Sequence, residues 1–88
     1  MTTIVSPRAE KQLRKLSKFN QIAVANKIRN IGTNSAVTGE EKLTGFKDIY
    51  RVRIGDYRLV YRKSANRLYV VLIGHRRDIY QLLRQLMG

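Results

Sequence analysis

An α+β fold is predicted, a small antiparallel-rich twisted sheet with a helical hairpin over one face and a helix at the end. Three observations predict it. Apolar residues recur at helical spacing early in the chain, alternate every second residue in the middle, and return to helical spacing at the end. The order that results is β-α-α-β-β-β-α. At 88 residues the chain is predicted to form one domain, 1–88, whose core closes without disulfides, since there is no cysteine.

The elements follow in order. "TTIV" (2–5) reads as a short first strand. Ser6 offers an N-cap side chain and Pro7 suits the first helical position. Ala9, Leu13 and Leu16 recur at i, i+4, i+7, while Arg8, Lys11, Arg14, Lys15 and Lys18 take the wet side. A second helix is predicted from about Phe19, with Ile22, Ala25 and Ile28 inward, Val24 and Ile31 as further inward candidates, and Gly32 as its stop. So brief a connection folds the two helices back as a hairpin. "TNSAVTGEEKLTGF" (33–46) reads as a turn-rich loop.

From Ile49 the period changes to two, with Tyr50, Val52 and Ile54 on one face and Arg51 and Arg53 on the other. Gly55-Asp56 is a two-residue hairpin signal, and the returning strand runs from Tyr57 to Lys63. A second turn at Ser64-Ala65-Asn66 leads into "RLYVVLIGH" (67–75), apolar enough for a central strand. The last helix carries Ile79, Leu82, Leu83 and Leu86 on one stripe, with Asp78 placed to cap it.

Charge gives this frame a purpose. Eighteen Lys and Arg against six Asp and Glu leave a net +12, which points to a phosphate-rich or strongly acidic partner. If Gly55-Asp56 is the whole turn, Arg53 stands directly opposite Arg58, with Arg51 on the diagonal. Like charges across a ladder oppose folding, so a sheet built for stability alone avoids them. Planar guanidinium forks converging on one patch suit phosphate oxygens.

"GHRRDIY" (74–80) ends the apolar strand and holds the single histidine, two arginines and a tyrosine. A two-residue turn at Ala65-Asn66 puts His75 on the face of Arg58 and Val60; a one-residue slip puts it on the other. Tyr80 sits about a quarter turn from the apolar stripe, free to face either core or site. The candidate set is Arg51, Arg53, Arg58, Arg76, Tyr80 and His75. Arg62 and Arg77 are added as phosphate-binding candidates.

No carboxylate cluster is spaced to hold Mg²⁺, and one histidine cannot build a zinc site, so neither metal nor cofactor is predicted. RNA cleavage by its own 2′-hydroxyl remains open. It needs in-line positioning, cations on the developing charge, and a proton acceptor. Arginine supplies the second and cannot supply the third. No run approaches a signal peptide or a membrane span, so a cytoplasmic protein away from membranes is expected.

The order of elements, "EKLTGFKDIYRVRIGDYRLVY" (41–61) and "IGHRRDIY" (73–80) together resemble the RelE/ParE superfamily of toxin–antitoxin toxins, most closely its RelE-like branch. The resemblance covers essentially the whole chain. It implies an endoribonuclease (an mRNA interferase) that enters the ribosomal A site beside 16S rRNA and cuts mRNA, inhibiting translation. It also implies a cognate RelB-like antitoxin, through which the pair binds operator DNA. By position, Arg51 and Arg53 match the basic pair on the first hairpin strand, and Arg58 the arginine that stabilises phosphate. Arg76 matches the arginine ending the last strand, and Tyr80 the tyrosine that orients or stacks on substrate. RelE-like toxins often carry lysine at the Arg51 or Arg53 position; arginine there leaves the base unassigned, with His75 the ordinary titrating group nearby. The alternatives are a ParE-like toxin that inhibits DNA gyrase without catalysis, and a non-catalytic basic RNA-binding module.

Overall fold

Ser6 and Pro7 start the first helix as their chemistry dictates. In the computed structural model, which describes residues 2–33 and 37–87, β1 (Thr2–Val5) leads into α1 (Pro7–Arg14) and α2 (Lys18–Thr33). There follow β2 (Glu41–Lys42), β3 (Ile49–Ile54), β4 (Tyr57–Lys63), β5 (Arg67–His75) and α3 (Ile79–Met87). The predicted order holds with one addition. β2 lies inside the stretch read as loop, and positions 34–36 of that stretch lie outside the described residues.

The strands run β1-β5-β4-β3-β2, with β1 parallel to β5 and the other neighbours antiparallel. The helical hairpin covers one face, where Ala9, Val24 and Ile31 pack with Val52, Leu59, Tyr61, Leu68, Val70 and Ile73. α3 covers part of the other, where Ile79 and Leu83 meet Ile49, Val60 and Leu72. Burying one such aliphatic side chain stabilises the fold by roughly 1.5–3 kcal/mol. Gly74 lets α3 come close, since a Cβ there would stand 3.0 Å from Ile79 Cδ1.

Three helix expectations are corrected. Ile22 is 54% exposed and Ala25 is exposed, while Val24 and Ile31 are buried and Ile28 packs beside them. The phase set by Ile22 and Ala25 continues into Arg29, a cation that resists burial without a partner. The phase set by Val24 continues into Ile28 and Ile31, so it wins. Gly32 is not a stop but a helical residue lying against Thr3, and α2 runs one residue past it. Leu86 is 41% exposed, because Ile79 and Leu83 carry the contact of α3 with the sheet.

One irregularity in β5 decides what reaches the site. Tyr61 pairs with Val70 and Val60 with Leu72, so Val71 is an extra residue, a β-bulge. β1 ends its pairing at Val70, and side chains of the α1 segment then satisfy the freed edge. Ser6 Oγ donates to the Val71 carbonyl at 2.8 Å while accepting the Ala9 N–H at 3.0 Å as the α1 cap. Gln12 Oε1 accepts the Ile73 N–H at 2.9 Å.

Candidate functional site

The β3–β4 hairpin has the register its turn predicts: Ile54 pairs with Tyr57, Val52 with Leu59, Tyr50 with Tyr61, and Arg53 with Arg58. Gly55 supplies a positive φ of 58°, as the first position of a type II′ turn requires. Alternation then sends Arg51, Arg53 and Arg58 to the α3 face of the sheet. Together with Gly39 and Glu41 they line a cleft of about 180 Å³.

Within the cleft the guanidiniums are oriented by the backbone and by each other. Arg53 Nε and Arg58 Nη1 both donate to the Gly55 carbonyl at 3.4 Å, and Arg58 Nη1 also donates to the Tyr57 carbonyl at 3.1 Å. Partial burial, then the charges of Arg53, Arg51 and Arg76, hold the Arg58 pKa below its ordinary value, with Asp56 opposing them. Arginine nonetheless stays cationic. The Arg76 N–H donates to the Asp56 carbonyl at 2.9 Å, tying the end of β5 to the hairpin tip.

Arg51 is held from two sides. Its guanidinium carbon lies 5.4 Å from the centre of the Tyr80 ring, and its Nη2 is 2.6 Å from Glu41 Oε2. Tyr80 is 40% exposed, so its ring presents a face beside the cleft rather than filling the core.

The bulge corrects the expectation for His75. The turn at Ala65-Asn66 is the two-residue turn expected, with Lys63 paired to Leu68. Because Val71 inserts one residue, however, every later side chain of β5 changes face. His75 therefore stands opposite Tyr57, meeting its ring edge-on at 5.9 Å, on the side of the sheet away from Arg58. Its Nδ1 accepts the Arg77 N–H at 3.2 Å, closing a local turn.

Arg62 also stands apart. It shares the face of Arg58, but buried Val60 lies between them along β4. It lines a different groove, of about 400 Å³, with Arg8, Tyr69, Val71 and Leu86. Arg77 is exposed in the turn before α3 and is not among the residues lining the cleft.

Glu41 is the residue that sequence reasoning passed over. Its strand is two residues long with no apolar alternation, so it read as loop. A signal was present: two of the chain's six acidic residues, Glu40 and Glu41, stand side by side shortly before the most basic hairpin. Among the described residues no three His, Cys, Asp or Glu side chains gather as a metal site would need. No helix among them is long and apolar enough to cross a membrane.

Residues 3–80 match the family described as ParE toxin of type II toxin–antitoxin system, parDE. No curated protein sequence matches at a significant level. Among solved structures, a mutant of E. coli toxin RelE in the free state superposes with a TM-score of 0.79 at 22% identity, covering 99% of this chain and 97% of that one. RelE of the intact E. coli RelBE toxin–antitoxin complex gives 0.74 at 24% identity, covering 84% and 94%. The RelB–RelE antitoxin–toxin complex of Methanococcus jannaschii gives 0.75 at 18% identity, covering 90% and 96%. At these identities the likeness is one of fold.

Proposed function

The chain belongs to the ParE toxin family of type II toxin–antitoxin systems, within the RelE/ParE superfamily, and from that premise we propose that it is a RelE-like mRNA endonuclease. It cuts mRNA in the ribosomal A site by attack of a 2′-hydroxyl on the adjacent phosphate, without a metal. The observation that carries this reading is the cleft itself: three guanidiniums converging around a single carboxylate, with an aromatic ring at the rim.

Each requirement of the reaction then has an owner. A phosphate entering the cleft meets Arg53 and Arg58, whose mutual repulsion it relieves, and competes with Glu41 for Arg51. The Glu41 carboxylate, displaced from Arg51 but still at the cleft wall, accepts the 2′-hydroxyl proton. The new bond from the 2′-oxygen to phosphorus forms as the bond to the 5′-oxygen breaks, and solvent returns a proton to that oxygen. Arg58 faces the charge that grows on the equatorial oxygens, joined by Arg76 from the end of β5. Tyr80 stacks on a neighbouring base or orients it. The products are a 2′,3′-cyclic phosphate and a free 5′-hydroxyl. His75 has no part in this scheme, and Arg62 and Arg77 serve at most as outer contacts to 16S rRNA or mRNA phosphates.

A cation-rich cleft of only about 180 Å³ depends on the ribosome to fix the message in line. Cleavage on ribosomes is therefore fast and cleavage of free RNA slow. A cognate RelB-like antitoxin neutralises the +12 charge in the cytoplasm and carries the pair to operator DNA.

The test is cleavage of mRNA on preformed ribosomal complexes. Cyclic phosphate ends, and a block by a single 2′-deoxy nucleotide at the scissile position, are the expected results. Uncut mRNA, together with stabilised gyrase–DNA cleavage complexes, would establish instead the gyrase-directed reading that the ParE family match favours. Uncut mRNA that is nonetheless bound would leave a non-catalytic RNA-binding module.

A further inference from the structure

Glu40, the neighbour of Glu41, is poorly explained by the fold alone. Only 15% of its side chain is exposed. It accepts a hydrogen bond from the buried Tyr61 hydroxyl, and each of its oxygens lies 3.0 Å from Lys63 Nζ. Lys63 in turn sits 5.1 Å from the centre of the Tyr50 ring, which stacks on Tyr61 at 6.0 Å. All of these partners belong to the helical-hairpin face of the sheet, opposite to the arginine cleft.

Successive side chains of a strand point to opposite faces. A carboxylate pinned on one face therefore fixes where the next residue points on the other. β2 is two residues paired with Arg51 and Tyr50. Past Lys42 it is anchored by the Leu43 N–H donating to the Ile49 carbonyl at 2.8 Å and by Leu43 against the α3-face core. At its start it is anchored by Glu40. Gly39, with φ of 80°, makes the turn just before the segment joins the sheet edge beside β3.

We propose that Glu40 is a positioning residue: clamped between Tyr61 and Lys63, it locks β2 so that Glu41 is held in the arginine cleft against Arg51. This deepens the reading of the cleft and rests on it. A carboxylate that is both proton acceptor and competitor for Arg51 must be held to a narrow range of positions. The Glu40 clamp supplies that restraint through the sheet from the dry side.

The experiment is a double-mutant cycle between Tyr61→Phe and Glu41→Gln, repeated with Glu40→Gln. Tyr61→Phe leaves the ring in the core and the charge unchanged, so it keeps the test valid if Glu40→Gln fails to fold. The first readout is binding of a fluorescent all-deoxy oligonucleotide, which cannot be cut by 2′-hydroxyl attack. Releasing Glu41 frees Arg51, so Tyr61→Phe should tighten binding about two- to fivefold, the range an exposed ion pair supplies. In the Glu41→Gln background the same change should do nothing. The second readout is single-turnover cleavage on ribosomes, which Tyr61→Phe should slow about 10- to 100-fold, as a misplaced group does. Again there should be no further loss once Glu41 is gone. Effects of Tyr61→Phe that persist in the Glu41→Gln background, or no effect in either, overturn the positioning role. Coupling in binding with no cleavage by the parent would keep the clamp and remove the nuclease reading.

Discussion

On one face of the β3–β4 hairpin, Lys63 meets the Glu40 carboxylate at 3.0 Å, lies over Tyr50, and shares its partner with the Tyr61 hydroxyl. On the other, Arg51, Arg53 and Arg58 share a cleft with Glu41, which reaches Arg51. The same two strands thus balance cation against anion on their dry side and leave the balance open on their wet side. Nothing in β-structure prevents a second carboxylate opposite Arg53. The difference teaches that the excess charge is gathered on the face that has fewer counter-ions, the arrangement the proposed phosphate site requires, and that the fold tolerates the resulting repulsion.

That comparison can be broken most severely at Glu41. Glu41→Gln should lower single-turnover cleavage by about 10²–10⁴-fold, the usual yield of general-base catalysis, while the melting temperature holds. Unchanged cleavage would mean that the proton acceptor lies elsewhere. Arg58→Ala comes next, with a loss of about 10²–10³-fold in the chemical step. Because its folded-state pKa is lowered, the charged form is less favoured in the fold than in the unfolded chain. That penalty stands at every pH where arginine is charged in both states. Thermal melts should accordingly find Arg58→Ala as stable as the parent or more so, and a marked destabilisation would refute the repulsion argument.

Smaller effects sharpen the contrast. Arg51→Ala and Arg53→Ala should each weaken RNA binding and reduce the slope of log K against log salt by about one, with less change in the chemical step. On the balanced face, burial and the Glu40 hydrogen bond raise the Tyr61 pKa. The unfolded chain then ionises first as pH rises above about 10, so stability is full below that pH and falls above it. Tyr61→Phe should flatten this alkaline decline in urea-denaturation midpoints; an unchanged slope would show that Tyr61 does not carry it. The smallest effect is reserved for His75→Ala, which should leave cleavage and its pH profile as they were.

Where the sequence alternates clearly, it could be read to the residue. "YRVRIGDYRLVY" has one apolar face, one basic face and a turn whose φ only glycine adopts readily, and its register followed without error. "LYVVLI" in β5 is apolar on both faces, so a one-residue bulge changes no pattern visible in the sequence, and the face of His75 was lost there. α2 failed for a related reason: apolar residues surround it, and only Arg29, one turn further on, separates the two phases. Arg51, Arg53 and Arg58 were legible as a set because charge and period agreed, whereas the helix phase left the side of Tyr80 open. Glu41 was not, since a two-residue strand has no period to read.

Gly74 stands beside Arg58 in the ladder, and a methyl there would arrive 3.0 Å from Ile79 Cδ1 and 3.5 Å from Leu82 Cδ1. Ile79 is buried, so it has little room to retreat, and the next residue is Tyr80, whose ring lies under Arg51. The hydrogen at Gly74 therefore acts as a spacer between β5 and the first turn of α3, the turn that carries the tyrosine. Replacing it with a methyl would force the Ile79 side chain to give by a few tenths of an ångström, pressing on the first turn of α3 that carries the ring. On the proposed reading, grip on the message would then be adjusted by a neutral substitution in the sheet, with every charged residue left in place.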